Sequence, residues 1–257
     1  PSNIARLVSS LGNYIYGTSN NAVWVNLFAG SHTTVQLNKI KVNIDMETGY
    51  PWNGDVKLLV SPAKKQNFEL RIRIPGWLSE PAPGNLYRYE TPEKDIPEIK
   101  VNGTAFPYTV DQGYAVIKRV WKKGDIVTME LPMKVRRIAS NPAVKQNENR
   151  VALQYGPLVY CVEDTDNTVA AKHVIVPPGT AFKTVFEPSL LGGVNTLVFN
   201  APVVTVSANR LSVATRTQKV TAIPYFSWNN RGAHDMQVWL PSAIREISIN
   251  AETGPND

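Results

Sequence analysis

Only one of the 257 residues is a cysteine, Cys161. No disulfide can form within the chain, and no thiolate cage for a metal can be built from it alone. Cys161 lies in the apolar run Leu158-Val159-Tyr160-Cys161-Val162, which predicts a buried thiol rather than a reactive one. Histidine is nearly as scarce. His32, His173 and His234 are far apart, with no H-x-H or H-E-x-x-H spacing, so surface or loop positions are expected and no metal site. There is no G-x-S-x-G elbow to hold a nucleophilic serine. Leu191-Gly192-Gly193-Val194 is too short for a phosphate loop and lacks its lysine. No apolar run reaches the length of a membrane span, so no membrane partner is expected. No secretion signal is recognisable, but the chain starts on Pro1 rather than Met, so that absence excludes nothing.

Charge of one sign is in modest excess, a formal +6. The cations do not cluster. Lys39 and Lys41 alternate with Ile40 and Val42, and Arg71 and Arg73 with Ile72 and Ile74. That is a solvated sheet face, so no nucleic-acid partner is expected.

What is present is mainly strand signal. The exception is the start, where Ile4, Leu7, Val8, Leu11 and Ile15 recur at helical spacing and Gly17 supplies a stop. Such a stripe cannot be buried by one helix alone. Ile4, Leu7 and Leu11 are expected either to face a sheet or to lie bare as an association surface. After Asn21 the period is two. Strands are predicted at Ala22 to Phe28, Leu37 to Met46, Val56 to Val60 and Phe68 to Ile74. Ser79 to Pro97 reads as a long surface loop. Asn102-Gly103 predicts a hairpin turn; Asn102-Gly103-Thr104 is also a glycosylation sequon, and the turn is the preferred reading. Strands at Tyr114 to Lys118 and Asp125 to Leu131 follow. Polar Asn141 to Asn149 reads as the passage to a second lobe. Val151 to Val162 reads as a strand buried on both faces. Short strands are then expected at His173 to Val176, Thr196 to Phe199, Val203 to Val206, Leu211 to Ala214, Gln218 to Ile223, Met236 to Leu240 and Ile244 to Ile249.

Two features carry candidate chemistry. Glu163, Asp164 and Asp166 are close in sequence, as paired glycosidase carboxylates could be, but a solvated loop after a strand explains them more simply. Trp52, Trp77, Trp121 and Trp228 fall near turns. Of these Trp52, Trp77 and Trp228 are candidate sugar-contacting residues, with packing as the competing explanation.

Several segments, in order, resemble one family. Pro1-Ser2-Asn3-Ile4-Ala5-Arg6 resembles the helix after a Cys-Cys pair in glycoside hydrolase family 127, the β-L-arabinofuranosidases. Gly49-Tyr50-Pro51-Trp52-Asn53-Gly54-Asp55 resembles its G-Y-P-W-x-G-D turn. Leu70 to Trp77 resembles its L-R-I-P-x-W strand end, and Trp121 to Met133 its W-x-x-G-D-x-V-x-x-x-L-P-M segment. Val151 to Tyr160 resembles V-A-L-x-x-G-P-L-V-Y, and Ala222 to Gly232 resembles A-I-P-Y-x-x-W-x-N-R-G.

The resemblance implies an all-β fold of two jelly-roll-like sandwiches after one helix left from a catalytic (α/α)6 barrel. It implies this division: 1–17 the last barrel helix, 18–140 the first sandwich, 141–235 the second, 236–250 strands returning to the first, and 251–257 a tail. Catalysis in that family implies a zinc-bound cysteine nucleophile and a glutamate acid/base, both in the barrel. None maps onto this chain, so no catalytic, metal or cofactor residue is assigned to it. Pro1, Ser2 and Asn3 are expected to be nearest that active site. The expected partner is the chain's own N-terminal barrel. The alternatives kept open are an independent carbohydrate-binding module and a structural sandwich protein, with a homodimer open in either case. The resemblance leaves the compartment open between a bacterial cytoplasm and an exported location.

Overall fold

The computed structural model describes residues 2–38, 40–81, 85–92, 94–207 and 212–243. The predicted helix is present but broken in two, α1 (Ser2–Ser10) and α2 (Gly12–Ile15). The Leu11 amide donates to the Val8 carbonyl, tightening the last turn of α1. The Ser9 and Ser10 hydroxyls donate back to the Arg6 and Leu7 carbonyls at 3.0 and 3.1 Å, the back-bonding that bends helices.

Most of the remaining regular structure among the described residues is strand. In chain order the strands are β1 (Tyr16–Ser19), β2 (Ala22–Val25), β3 (Ser31–Leu37), β4 (Ile40–Thr48), β5 (Asp55–Pro62), β6 (Gln66–Arg73), β7 (Tyr87–Tyr89), β8 (Glu98–Val101), β9 (Thr104–Ala105) and β10 (Thr109–Asp111). They continue with β11 (Tyr114–Trp121), β12 (Asp125–Glu130), β13 (Val135–Ser140), β14 (Arg150–Tyr155), β15 (Leu158–Glu163), β16 (Phe182–Glu187), β17 (Val194–Val206), β18 (Val213–Pro224), β19 (Met236–Gln237) and β20 (Leu240–Pro241). The chain divides into two compact units, Pro1–Ala82 with Pro92–Lys134, and Pro83–Thr91 with Val135–Asp257.

The first unit holds two sheets, ordered β1-β2-β6-β11-β10 and β3-β4-β5-β12-β8-β9. Their inward residues make one core. Ile40, Val42, Ile44 and Met46 of β4 meet Phe68, Leu70 and Ile72 of β6, and Ile117 and Trp121 of β11. The period of two in the sequence is thus the in-out alternation of a one-faced strand. Trp121 is fully buried, stacks on Phe68 and donates its indole N–H to the Phe68 carbonyl at 3.0 Å. One expected strand differs. Leu37 to Met46 is a hairpin corner, because Leu37 pairs with Ile40 across a two-residue turn in which Asn38 has φ 49°. Lys39 lies outside the described residues.

The Asn102-Gly103 turn has φ of 51° and 81°, both left-handed, as a tight hairpin requires. The Asn102 amide is consumed internally. Its Nδ2 donates to Asp125 Oδ1 at 2.9 Å, and its Oδ1 accepts the Ile126 amide at 2.8 Å. Asp125 also accepts the Lys122 amide at 2.9 Å and faces Arg119 at 3.7 Å. Burial alone would raise the Asp125 carboxyl; Asn102, the Lys122 amide and Arg119 outweigh it and hold the group below its ordinary value. A lowered native pKa gives stability that is present above the unfolded value of about 3.9 and is lost as pH falls through the folded one. Asp125→Asn is therefore expected to cost about 2 kcal/mol at neutral pH. It should also flatten the acid limb of a melting-temperature-against-pH profile.

Among the described residues the second unit holds a nine-stranded sheet, with the path β16-β17-β18-β15-β14-β13-β7 and with β19 and β20 added to β15 and β14. Its two ends share a core, with Val151, Leu153, Tyr160 and Val162 against Leu197, Phe199, Val203, Val220 and Ala222. The opposite face of β13 and β14 has a smaller cluster around Tyr89, Ile138 and Ala152, joined by Tyr87 and Trp239. Burial on both faces explains the continuous apolar run at Val151 to Val162. That run is a hairpin rather than one strand, turning at Gly156 with φ 54°.

Other expectations differ here. The segment expected as a surface loop, Ser79 to Pro97, contributes β7 to this sheet, where it pairs with β13. β13, expected in the first sandwich, pairs with β14, so the unit boundary falls at Lys134 rather than after Ser140. The short strands expected over Thr196 to Ile223 are two long ones, β17 and β18; β17 runs through Pro202, which faces Thr217. His173 to Val176 is a 3-10 turn and a single bridge, Val174 to Val203. The expected return of the last strands to the first sandwich is not seen in β19 and β20, which pair with β15 and β14. Ile244 to Ile249 and the 251–257 tail lie outside the described residues.

Candidate functional site

Among the described residues nothing buries the apolar stripe of α1. Ile4 is 68% exposed, Leu7 57% and Val8 65%, and α1 buries no residue. The anchor is at the other end. Ile15 and Tyr16 pack on the first core. The Asn26 amide donates to the Ile15 carbonyl at 2.8 Å, and Asn26 Oδ1 accepts the Tyr114 hydroxyl at 2.9 Å. A helix pinned at one end with an apolar face bare is built to be covered. Ser2 and Asn3 are exposed on α1; Pro1 lies outside the described residues.

The Gly49 to Asp55 turn forms the second feature. Trp52 and Asn53 donate their amides to the Gly49 carbonyl at 2.8 and 3.1 Å. The Thr48 hydroxyl closes the turn by donating to the Asp55 carbonyl at 2.6 Å. The Gly54 carbonyl accepts the Leu131 amide at 2.9 Å, and a Cβ on Gly54 would lie 1.9 Å from the Leu131 oxygen. Tyr50 meets Phe28 edge-on at 5.5 Å and accepts the Trp77 indole N–H at 3.1 Å. Burial raises the Tyr50 hydroxyl pKa. Trp77 is thus committed by its N–H and by packing on the core. Trp52 is half-buried in the same turn.

The third feature is in the second unit. Glu163, expected in a solvated loop, ends β15 with its side chain 1% exposed. Arg231 donates to Glu163 Oε2 at 2.5 Å, and to Asp166 Oδ1 and Oδ2 at 2.5 and 2.6 Å. The Asn229 amide donates to Glu163 Oε1 at 2.7 Å. Asp164 accepts the Ala171 amide at 2.6 Å. Asp166 foremost, then Glu163, raise the Arg231 pKa further against the opposing effect of burial. The two acids are committed to one cation, the arrangement of a structural clamp rather than of a free carboxylate pair. They clamp the Asn229-Asn230-Arg231-Gly232 segment, which follows directly on Trp228, whose ring stacks with Tyr225 at 6.3 Å and 15° between planes. Sequence reasoning missed Arg231, whose partners lie 65 and 68 residues away.

Cys161 is buried beside this clamp, and burial foremost pushes its thiol up to about 12, far from the thiolate that nucleophilic or zinc chemistry needs. His32 pairs with Asp45, and His234 contacts the Arg231 carbonyl at 3.1 Å. Among the described residues no three His, Cys, Asp or Glu side chains converge on a metal position. The described residues do not fit a zinc centre. Also among the described residues, no helix is long and apolar enough to cross a membrane.

Comparison with known proteins gives two family matches. Residues 22–133 match the β-L-arabinofuranosidase middle domain of glycoside hydrolase family 127, and residues 135–241 match the C-terminal domain of that family. A non-reducing end β-L-arabinofuranosidase of Bifidobacterium longum subsp. longum is 27% identical over 93% of this chain. The solved structure of a family 127 β-arabinofuranosidase is 36% identical over 95% of this chain, with a TM-score of 0.89. That of a family 127 β-L-arabinofuranosidase from Geobacillus stearothermophilus T6 is 37% identical over 95% of it, with a TM-score of 0.84. The chain spans 36 to 38% of the length of these three relatives.

Proposed function

Because the chain belongs to glycoside hydrolase family 127, whose middle and C-terminal β domains it comprises, we propose that it supports a catalytic helical body and is not catalytic alone. The observation that carries this reading is the bare stripe of α1. A row of aliphatic side chains at helical spacing, held in place only at the C-terminal end, matches the face one barrel helix shows to its neighbours. Covering such a side chain is worth about 1.5–3 kcal/mol, so the stripe is a strong docking element. In the parent enzyme the substrate would be a β-L-arabinofuranoside, and the zinc, nucleophile and acid/base would come from the helical body. Ser2 and Asn3 would then be the described residues nearest the chemistry.

The bare stripe has a consequence in solution. The chain is expected to self-associate with rising concentration through α1. Ile4→Ser, Leu7→Ser and Leu11→Ser together should leave it monomeric, because each removes exposed apolar area. Light scattering across a concentration series checks this; unchanged solution size in the triple variant would remove α1 as the docking element.

A second reading rests on the Tyr225–Trp228 stack, with Tyr225 43% exposed. Paired rings near the surface suit the apolar face of a sugar, so Trp228 is the proposed sugar contact. Trp52 and Trp77 are weaker candidates, since their turn serves the packing of the first unit.

A further inference from the structure

The outer face of the β16-β17-β18 ribbon holds a depression of about 380 Å³, lined by Ala181 to Lys183, Val198 to Asn200 and Lys219. Its size falls within the range of about 300–1,000 Å³ typical of small-ligand sites. Register explains its composition. Lys183 faces Val198, and Asn200 faces Lys219, so alternation puts these four side chains on one face. Phe182 and Phe199 turn the other way and pack edge-on at 5.0 Å, fixing β16 on β17 beneath the depression.

Among the described residues several lysines of the wet sheet faces are paired, though Lys41 of β4 is not. Lys57, Lys100 and Lys118 each pair with a glutamate, Glu47, Glu98 and Glu69. Among the described residues Lys183 and Lys219 pair with none, although they flank the middle strand from either side. Two unneutralised ammonium groups therefore stand over a floor of Val198 and beside the Asn200 amide.

We propose that this depression binds a carboxylated sugar. The carboxylate would sit between Lys183 and Lys219, the apolar ring face on Val198, and a hydroxyl against Asn200. The anion site rests on the lysine pair; the choice of a saccharide rests on the family 127 reading.

The test is calorimetric titration of the whole chain with an oligogalacturonate, a neutral arabino-oligosaccharide and inorganic phosphate, at low and high salt. Saturable oligogalacturonate binding is expected, weakened about fivefold by each of Lys183→Ala and Lys219→Ala and weakened again by salt. These exposed strand positions bury nothing, and circular dichroism checks that the variants fold. No binding, or equal binding by the double variant, overturns the proposal. Phosphate binding as tightly as the oligogalacturonate overturns the sugar assignment. Oligogalacturonate binding abolished by Trp228→Ala and unchanged by the lysine variants moves recognition to the Tyr225 stack and overturns it too. None of these results bears on α1 docking, which is read by solution size.

Discussion

Arg231→Ala is expected to destabilise the second unit by about 3–5 kcal/mol, the cost of breaking a buried ion pair from one side. The reason is asymmetry. Glu163 has a side chain only 1% exposed, and Arg231 is its cation. Removing the guanidinium leaves a carboxylate in the interior with only the Asn229 amide on Oε1. It also frees Asp166 and unpins the segment that carries Trp228. The double variant Arg231→Met with Glu163→Gln should recover much of the loss, because a neutral pair needs no compensating charge. Urea unfolding of wild type, single and double variants measures both quantities. A single variant within 1 kcal/mol of wild type would show that the clamp is not holding this unit.

Gly54→Ala is the second large effect, expected at about 3 kcal/mol, the upper end for overpacking. A Cβ at this position would be 1.9 Å from the Leu131 carbonyl oxygen and 2.8 Å from its carbon. Both are backbone atoms, so no side chain can swing aside. Relief requires separating Gly54 from Leu131, which costs the 2.9 Å bond from the Leu131 amide to the Gly54 carbonyl. Gly76→Ala is the control, since a Cβ there meets nothing within 4 Å. Its melting temperature should stay near wild type while that of Gly54→Ala falls. Equal melting temperatures for the two would contradict the packing at this turn.

These two sites also mark where sequence reading succeeds and where it stops. The G-Y-P-W-N-G-D turn was legible as a motif, and the reason for its second glycine is a close backbone approach that appears only in three dimensions. Strands β4 to β6 were legible because each has one wet face, so their apolar residues alternate. β3 was not, since its outward Thr34, Gln36 and His32 leave little apolar signal. β7 is three residues inside a Pro-rich stretch, and its pairing with β13 skips the strands between them. The sequence shows two short strand signals here, Thr196 to Phe199 and Val203 to Val206, and the ladder runs on between them through Pro202. For the clamp, Glu163 and Asp166 were visible as neighbours, but a partner 65 residues away leaves no period or spacing to find. The helix was legible down to its stripe, and the structure resolved which of its two expected situations holds: the stripe is bare.

The proposed role of this chain is support of a catalytic body, with no chemistry of its own. The direct measurement is turnover of an aryl β-L-arabinofuranoside by the purified chain, with and without added zinc. Release of the aryl group at the rate of the buffer blank under both conditions is the predicted result. Turnover above the blank under either condition would place a catalytic centre in these β domains and contradict this role.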